Sequence, residues 1–148
     1  MNKLLSPYPL ALMSGVAIIR VIVGLLMVYH GWEIFDAAIM KEYTTWDSFK
    51  KFPSPALFVY IGKIAELMAG IMLTIGLFTR LAALILVFTM MYITFFIGSG
   101  KFWYQDQHPF LFVLLGMVFF FSGPCKWSVD QWMVVRKQKR SEGKKDSL

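Results

Sequence analysis

Cysteine is nearly absent from this chain, which has only Cys125. A single thiol excludes an internal disulfide framework and a C-x-x-C motif, because both need paired cysteines. Membrane oxidoreductases that pass electrons through paired thiols are therefore excluded for this chain acting alone. The sequence assigns no role to Cys125.

Histidine is also scarce, with only His30 and His108. Neither takes part in an H-x-x-x-H or E-x-x-H spacing, so no metal site is expected. The two residues lie near the ends of different apolar segments, and neither segment carries the second histidine usual for haem ligation, so no haem is expected. His30 remains open to two interpretations: proton exchange at the mouth of a pocket, or packing between helices. The role of His108 stays open.

Charged residues make up only 16% of the 148 residues, whereas 57% are hydrophobic and the mean hydropathy is +0.59. A soluble domain has about 25% charged and about 45–50% apolar residues. The composition therefore excludes an ordinary soluble domain and indicates an integral membrane protein, whose first partner is the lipid bilayer.

The net charge of +6 is concentrated at the C-terminus. Seven basic residues follow the last apolar segment: Lys126, Arg136, Lys137, Lys139, Arg140, Lys144 and Lys145. No basic helix with base-reading side chains accompanies them, so nucleic acid is not an expected partner. We interpret this segment as a cytoplasmic tail beside anionic lipid.

Four apolar segments predict an all-α fold, an integral membrane four-helix bundle. A bilayer core requires about 20 helical residues. The predicted spans are residues 10–31, 55–78, 81–98 and 104–122, which form one transmembrane domain over 1–122, followed by the basic tail 123–148. The first segment is interpreted as a retained helix.

The basic residues outside the spans predict the orientation. Nine of them lie on the side that carries the two termini and four on the other side. Since cytoplasmic loops carry the excess of Lys and Arg, both termini are predicted to be cytoplasmic, in a multi-pass protein of the cell membrane.

Two charges stand near the middle of apolar spans, Arg20 in the first and Glu66 in the second. Such charges cost several kcal/mol unless paired or wetted, so they usually face the bundle interior. Each shares a helical stripe with small residues that allow close helix contact. These residues are Gly24 and Gly31 with Arg20, and Gly62 and Gly70 with Glu66. We predict an Arg20–Glu66 ion pair. For Lys63 two readings stay open: snorkelling to the surface, or bridging to Glu66.

Three stretches carry a family resemblance: "RVIVGLLMVYHGW", "AELMAGIMLTIGLFTR" and "GPCKWSVD". The matching residues are Arg20, Gly24, His30, Gly31, Glu66, Gly70, Gly76, Arg80, Gly123, Pro124, Ser128 and Asp130. With these residues in this order, the chain resembles the DoxX family of small four-span membrane proteins, which includes the DoxD-type subunit of thiosulfate:quinone oxidoreductases. The chain departs from the family at Glu33–Ile34, where a lysine is usual, and at Cys125, where a second glycine is common.

The stretch "GPCKWSVD" also has a structural explanation. Gly123 and Pro124 are expected to end the fourth span. Ser128 is expected to cap the turn that follows, with Trp127 at the membrane interface. The alternative interpretation is a docking site for a cytoplasmic partner.

The resemblance implies a redox-linked membrane subunit that binds quinone or another lipophilic ligand in the bundle. The residues assigned to the ligand are Arg20, Glu66, His30, Tyr29 and Gly70. A soluble or membrane redox partner would supply electrons, and further copies of the chain are a possible partner. The alternative is a non-enzymatic scaffold or a module that binds lipid or membrane proteins, in which the charged pair only joins two helices.

Overall fold

The computed structural model describes residues 11–145 and the side chains of residues 11–140. Its long helices are α1 (Leu12–Trp32), α4 (Pro55–Ile75), α5 (Thr79–Tyr92), α6 (Gln107–Ser122) and α7 (Val129–Lys145). Two short helices, α2 (Ala37–Thr44) and α3 (Asp47–Lys50), separate α1 from α4, after one 3-10 turn at Glu33–Phe35. A π-helical turn, Ile93–Ile97, extends α5. Residues 11–145 contain no strand, so the all-α prediction is confirmed.

Within residues 11–145, three helical segments are long and apolar enough to cross a membrane: Leu12–Phe35, Pro55–Ile75 and Thr79–Ile97. Large apolar side chains are exposed on their outer surfaces, as at Phe88, which is 67% exposed. A soluble protein rarely exposes such surfaces, because contiguous apolar patches promote association. The prediction of a membrane protein is therefore confirmed. The fourth apolar helix, α6, has 16 residues, which corresponds to about 24 Å at 1.5 Å per residue.

The end of α4 depends on Gly76, which adopts a left-handed conformation with φ of 70°. Glycine takes this conformation without the steric cost that a Cβ brings. The N–H groups of Gly76 and Leu77 both reach the carbonyl of Met72. This closes the helix at Ile75, earlier than the predicted end at residue 78, and turns the chain into α5.

The helices α1 and α4 lie against each other through glycine. A Cβ added at Gly24 would collide with Thr74 and with the Gly70 carbonyl, and one added at Gly31 would collide with the backbone of Leu67. Helix backbones approach this closely where side chains are absent. α4 also packs on α5, and α5 packs on α6. The main core contains Met27, Leu73 and Leu86, all fully buried.

The two ends of the helices are built differently. At the "α2–α3 end", the short helices fold over the bundle and form a second apolar cluster around Met40, Phe49 and Val59. Asp36 begins α2 by accepting hydrogen bonds from the backbone of Ala38 and Ile39. At the "α7 end", the chain after α6 returns to the turn between α4 and α5.

α6 begins at Gln107, after the predicted start at residue 104, because Asp106 closes the turn before it. The Asp106 carboxylate accepts hydrogen bonds from the Ser99 hydroxyl at 2.7 Å and from the backbone N–H groups of Ser99 and Lys101 at 2.8 and 3.1 Å. These bonds lower the pKa of Asp106, with the Ser99 hydroxyl as the largest contribution. Residues 98–106 are thereby held as a compact turn.

Candidate functional site

Lys63 is the centre of a half-buried ionic cluster at the α2–α3 end. Its Nζ lies 2.8 Å from a Glu33 carboxylate oxygen and 3.0 Å from one of Glu66. The Lys63 side chain is 13% exposed and that of Glu66 is 6% exposed. The open question about Lys63 is thus answered, because it bridges to Glu66 one helical turn away. The cation and two carboxylates compensate charges that would be costly if buried singly.

Two further residues complete the cluster. The Tyr43 hydroxyl donates to Glu33 at 2.6 Å, and its ring lies below the Lys63 ammonium at 4.9 Å. His30 Nδ1 lies 3.9 Å from Glu33, and the His30 carbonyl accepts from Lys63 at 3.3 Å. We call these five residues the ionic cluster: His30, Glu33, Tyr43, Lys63 and Glu66. They come from α1, the 3-10 turn, α2 and α4, so only the folded chain assembles them.

A cavity of about 230 Å³ opens beside the ionic cluster. Its walls are mainly apolar and aromatic, with contributions from Met27, Tyr43, Trp46, Phe49, Phe58, Val59, Met90, Ile93 and Phe112. Lys63, Glu66 and His30 supply polar groups on one part of the wall. An apolar pocket with a few convergent polar groups is the usual form of a small-molecule site.

Tyr92 is a further residue of the cavity wall with a polar group. Its hydroxyl oxygen is buried and has no hydrogen-bond partner among the described residues. A buried hydroxyl without a partner loses hydration and gains nothing in return, so native structures rarely leave one unpaired. Tyr92 is thus a residue of the cavity wall whose buried hydroxyl has no partner among the described residues.

The two histidines meet at this cavity, which both of them line. Their ring centroids are 6.2 Å apart in an edge-to-face arrangement, and His108 also contacts Phe112. The region described here contains no group of three or more His, Cys, Asp or Glu residues able to hold a metal ion. The expectation of no metal and no haem stays a prediction.

Arg20 does not pair with Glu66, so the prediction of that ion pair is wrong. The Arg20 side chain is fully buried and donates to the Leu73 carbonyl at 2.8 Å and to the Trp127 carbonyl at 3.0 Å. Leu73 lies in the last turn of α4, where carbonyls lack helical partners and a cation is favoured by the helix dipole. Arg20 thus ties α1 to the end of α4 and to the segment before α7.

The axial offset between α1 and α4 explains the error. Gly24 meets Thr74, and an added Cβ at Gly76 would meet the Arg20 guanidinium. Arg20 is therefore level with the end of α4, whereas Glu66 lies ten residues earlier in that helix, about 15 Å away at 1.5 Å per residue. Both residues are near the middle of their own sequence segments, but the two segments are shifted relative to each other.

The "GPCKWSVD" residues form the other polar assembly, at the α7 end. The Asp130 carboxylate accepts from the backbone N–H of Phe78 and of Thr79 and from the Thr79 hydroxyl, at 2.7 to 2.8 Å, and so caps α5. The Ser128 hydroxyl accepts from the Gln131 N–H at 3.1 Å, which confirms the predicted cap of α7. Cys125 is buried, 1% exposed, within this assembly.

The remaining residues of that stretch end α6. Gly123 has a φ of 65°, and its N–H donates to the Phe119 carbonyl, so α6 stops at Ser122 before Pro124. The Arg80 guanidinium lies close to the position a Gly123 side chain would occupy.

The structure brings together only two of the residues assigned to a ligand, Glu66 and His30, which both line the cavity. Arg20 does not line the cavity, because its side chain reaches the Leu73 carbonyl near the end of α4. Tyr29 is 73% exposed on the outer surface. Gly70 does not leave open space, because an added Cβ would meet the backbone of Met27 and Val28. Of the glycines on the predicted stripes, Gly62 lines the cavity and has open space around it.

The residues that sequence reasoning missed are Tyr92, Tyr43 and Glu33. Glu33 carried a signal, since it stands near the position where the resemblance leads one to expect a lysine. Lys63 at the neighbouring end of α4 supplies the cation that Glu33 contacts. Tyr92 and Tyr43 carry no local signal, because tyrosine is common at membrane interfaces.

Tyr43 provides a test of the cluster by pH. Burial, followed by the hydrogen bond to Glu33, raises the pKa of Tyr43 to about 12. The folded state favours the neutral phenol, so this contribution to stability is complete below about pH 10, the usual tyrosine pKa, and is lost as the pH rises towards 12. The measurement is the phenolate absorbance of the wild type minus that of Tyr43→Phe, recorded as the pH is raised. This difference should reach half of its maximum near pH 12. A half-maximum near the value of free tyrosine would show that Tyr43 is not held by Glu33.

The fold and the site together define a helical multi-span membrane protein with an ionic cluster beside an apolar cavity. A family model described as DoxX matches residues 15–99 of the 148. The chain belongs to the DoxX family. The match covers most of α1, all of α2 to α5 and the whole ionic cluster, and it ends before His108 and "GPCKWSVD". No curated protein and no solved structure matches the chain.

Proposed function

We propose that this protein is a redox-linked membrane subunit that binds a quinone or a closely similar lipophilic molecule in the cavity at the α2–α3 end. The observation that carries the proposal is an apolar cavity lined by Lys63, Glu66 and Tyr92, whose buried hydroxyl has no partner among the described residues. A ligand with oxygen atoms on a flat ring suits these walls. Its apolar ring faces would contact the aromatic side chains, and its oxygen atoms would accept hydrogen bonds from the polar side chains.

The cavity size agrees with a ring that enters while a tail remains in lipid. Its volume of about 230 Å³ is below the range of about 300–1,000 Å³ that encloses drug-sized ligands. Trp46, on the cavity wall, is 44% exposed, so this wall borders the surface of the molecule. A headgroup bound inside with an aliphatic chain outside satisfies both observations.

The residues around the cavity support binding and proton exchange. Tyr92 would donate a hydrogen bond to a ring oxygen, and His30 would hold the opposite side, because the three donors of the Lys63 ammonium already bond Glu33, Glu66 and the His30 carbonyl. Glu66 and His30 are groups that can exchange protons with a bound molecule. A bound quinone would supply two-electron, two-proton carrier chemistry, and a soluble or membrane redox partner would supply the electrons.

We also propose the topology of the protein: a four-helix bundle in the cell membrane in which α1, α4, α5 and α6 span the bilayer and both termini are cytoplasmic. Three of these segments have the required length, and the excess of basic residues lies at the α7 end. In this arrangement residues 1–122 form the membrane domain, and the α2–α3 end faces outward.

Cysteine labelling tests this orientation. Gln105 and Gln138 are both exposed, at opposite ends of the molecule. In a Cys125→Ser background, Gln105→Cys should react with an impermeant maleimide in intact cells, and Gln138→Cys only after permeabilisation. Reaction of both positions from the same side would show the topology to be wrong.

The ligand proposal is tested by filling the cavity from Gly62. Gly62→Trp places an indole in the cavity and should abolish co-purification of quinone, measured by solvent extraction and mass spectrometry. Tyr92→Phe removes one neutral hydrogen bond, a net loss of about 0.5–1.5 kcal/mol, and should weaken retention about two- to thirteenfold.

Gly15→Trp is the matched control. Gly15 also has open space around it, but it is exposed on α1 and does not line the cavity. It should retain quinone at the wild-type ratio. Wild-type retention by Gly62→Trp would contradict the proposed site. If the wild type co-purified with phospholipid but without quinone, the result would favour the alternative function, a scaffold or lipid-binding module. That alternative agrees with the structure in one respect, because Arg20 and Lys63 already have partners within the protein.

A further inference from the structure

Within residues 131–140, the helix α7 carries its basic residues on one side. At about 100° per residue, the cations of α7 between positions 131 and 140 fall within an arc of about 160°. Trp132 and Met133 lie in the same arc, whereas Gln131, Val134 and Gln138 lie on the opposite side. We call this side the basic face: Trp132, Met133, Arg136, Lys137, Lys139 and Arg140.

Every side chain of the basic face is exposed. The Arg136 guanidinium lies 5.1 Å from the centre of the Trp132 ring, which shows directly that an aromatic and a cationic residue share this side. Residues 131–140 contain no acidic residue. The carboxylate just before them, Asp130, is already occupied by three hydrogen bonds from the start of α5. The positive charge of the face is therefore not compensated by the described part of the protein around it.

The start of α7 is held against the ends of the membrane-spanning helices. Asp130 binds the turn between α4 and α5, its N–H donates to the Gly76 carbonyl, and Arg20 holds the Trp127 carbonyl. Exposed Arg80 and Lys126 add charge at this same end. These contacts place the start of α7, next to Trp132 and Met133, at the ends of the membrane-spanning helices. Tryptophan and basic side chains are favoured at a membrane surface.

We propose that the basic face binds the headgroups of anionic phospholipids in the membrane that contains the protein. Its cations match the phosphate charge, and Trp132 and Met133 match the boundary between headgroups and acyl chains. A nucleic acid would also meet the cations, but exposed Trp132 and Met133 at the membrane end of α7 favour lipid. This proposal does not depend on the cavity or on its ligand.

The experiment uses the full chain in nanodiscs of phosphatidylcholine, with or without phosphatidylglycerol. An environment-sensitive fluorophore is attached to Met133→Cys in a Cys125→Ser background. We expect a blue-shifted emission only on phosphatidylglycerol discs, and we expect salt to reverse it. Replacing Arg136, Lys137, Lys139 and Arg140 by glutamine should remove the shift, because the docked-to-free ratio falls about fivefold per cation removed.

The matched control carries the fluorophore at Gln138→Cys, on the opposite side of α7, where the shift should be smaller. Equal emission on both disc compositions, or an unchanged shift in the glutamine variant, would overturn the proposal. Binding of double-stranded RNA to the protein in phosphatidylcholine discs, combined with equal emission on both compositions, would instead assign the face to nucleic acid.

Discussion

Arg20→Met should destabilise the folded protein by about 3–5 kcal/mol, because it removes two hydrogen bonds from a charged group, each worth about 1.5–3 kcal/mol. The Leu73 carbonyl would lose its buried donor, and the Trp127 carbonyl would lose its link to α1. Arg20→Lys should recover only part of the loss, since one ammonium lacks the planar fork that reaches two carbonyls. The measurement is unfolding by sodium dodecyl sulfate in mixed micelles, followed by circular dichroism.

Arg80→Met is the matched control for this prediction. Arg80 is an exposed arginine at the same end of the molecule, so its replacement should change the free energy of unfolding by less than about 1 kcal/mol. Equal losses for the Arg20 and Arg80 variants would contradict the proposed role of Arg20.

A double-mutant cycle separates the observed arrangement from the ion pair that the sequence predicted. Arg20 and Glu66 are about 15 Å apart along α4. The changes in the free energy of unfolding caused by Arg20→Met and Glu66→Gln should therefore be additive within about 0.5 kcal/mol. A large coupling free energy would indicate that the two residues meet after all.

Lys63→Met should cost about 3–5 kcal/mol, the usual effect of removing one partner from a buried ion pair. The change leaves Glu33 and Glu66, 22% and 6% exposed, without the cation that both contact. Adding Glu66→Gln to Lys63→Met should recover part of the stability, because it removes one of the two uncompensated carboxylates. The same unfolding measurement applies.

The control for Lys63 is Lys50→Met. Lys50 pairs with Asp47 at 2.8 Å, at the same sequence spacing as Lys63 and Glu66, but the two side chains are 60% and 95% exposed. Exposed pairs contribute about 0–1 kcal/mol, so this variant should unfold almost like the wild type. If the Lys63 and Lys50 variants lost equal stability, burial of the cluster would not contribute as proposed.

Composition and periodicity were enough to predict the apolar helices α1, α4, α5 and α6, but not the helix α7 within the basic tail. Scarce charge and apolar runs of about 20 residues indicate membrane-spanning segments. Such segments form helices, because every backbone N–H and C=O group must find its hydrogen-bond partner within the protein when no water is present. Local motifs were also predictable where the chemistry is local: Ser128 caps α7 from three residues away, and Gly123 ends α6. The family was recognisable for the same reason, since its residues lie in short stretches.

The partners of the buried charges depend on the tertiary structure. Sequence position gives the depth of Arg20 and Glu66 within their own helices, but it does not give the axial offset between helices. That offset depends on where the backbones approach closely, at Gly24, Gly31 and Gly70, and it places Arg20 beside the end of α4. Likewise, Glu33, Lys63 and Tyr43 become neighbours only when α2 folds over α4. The sequence determined that these charges must be compensated, because isolated charges are costly in an apolar interior. Helix packing decided which groups compensate them.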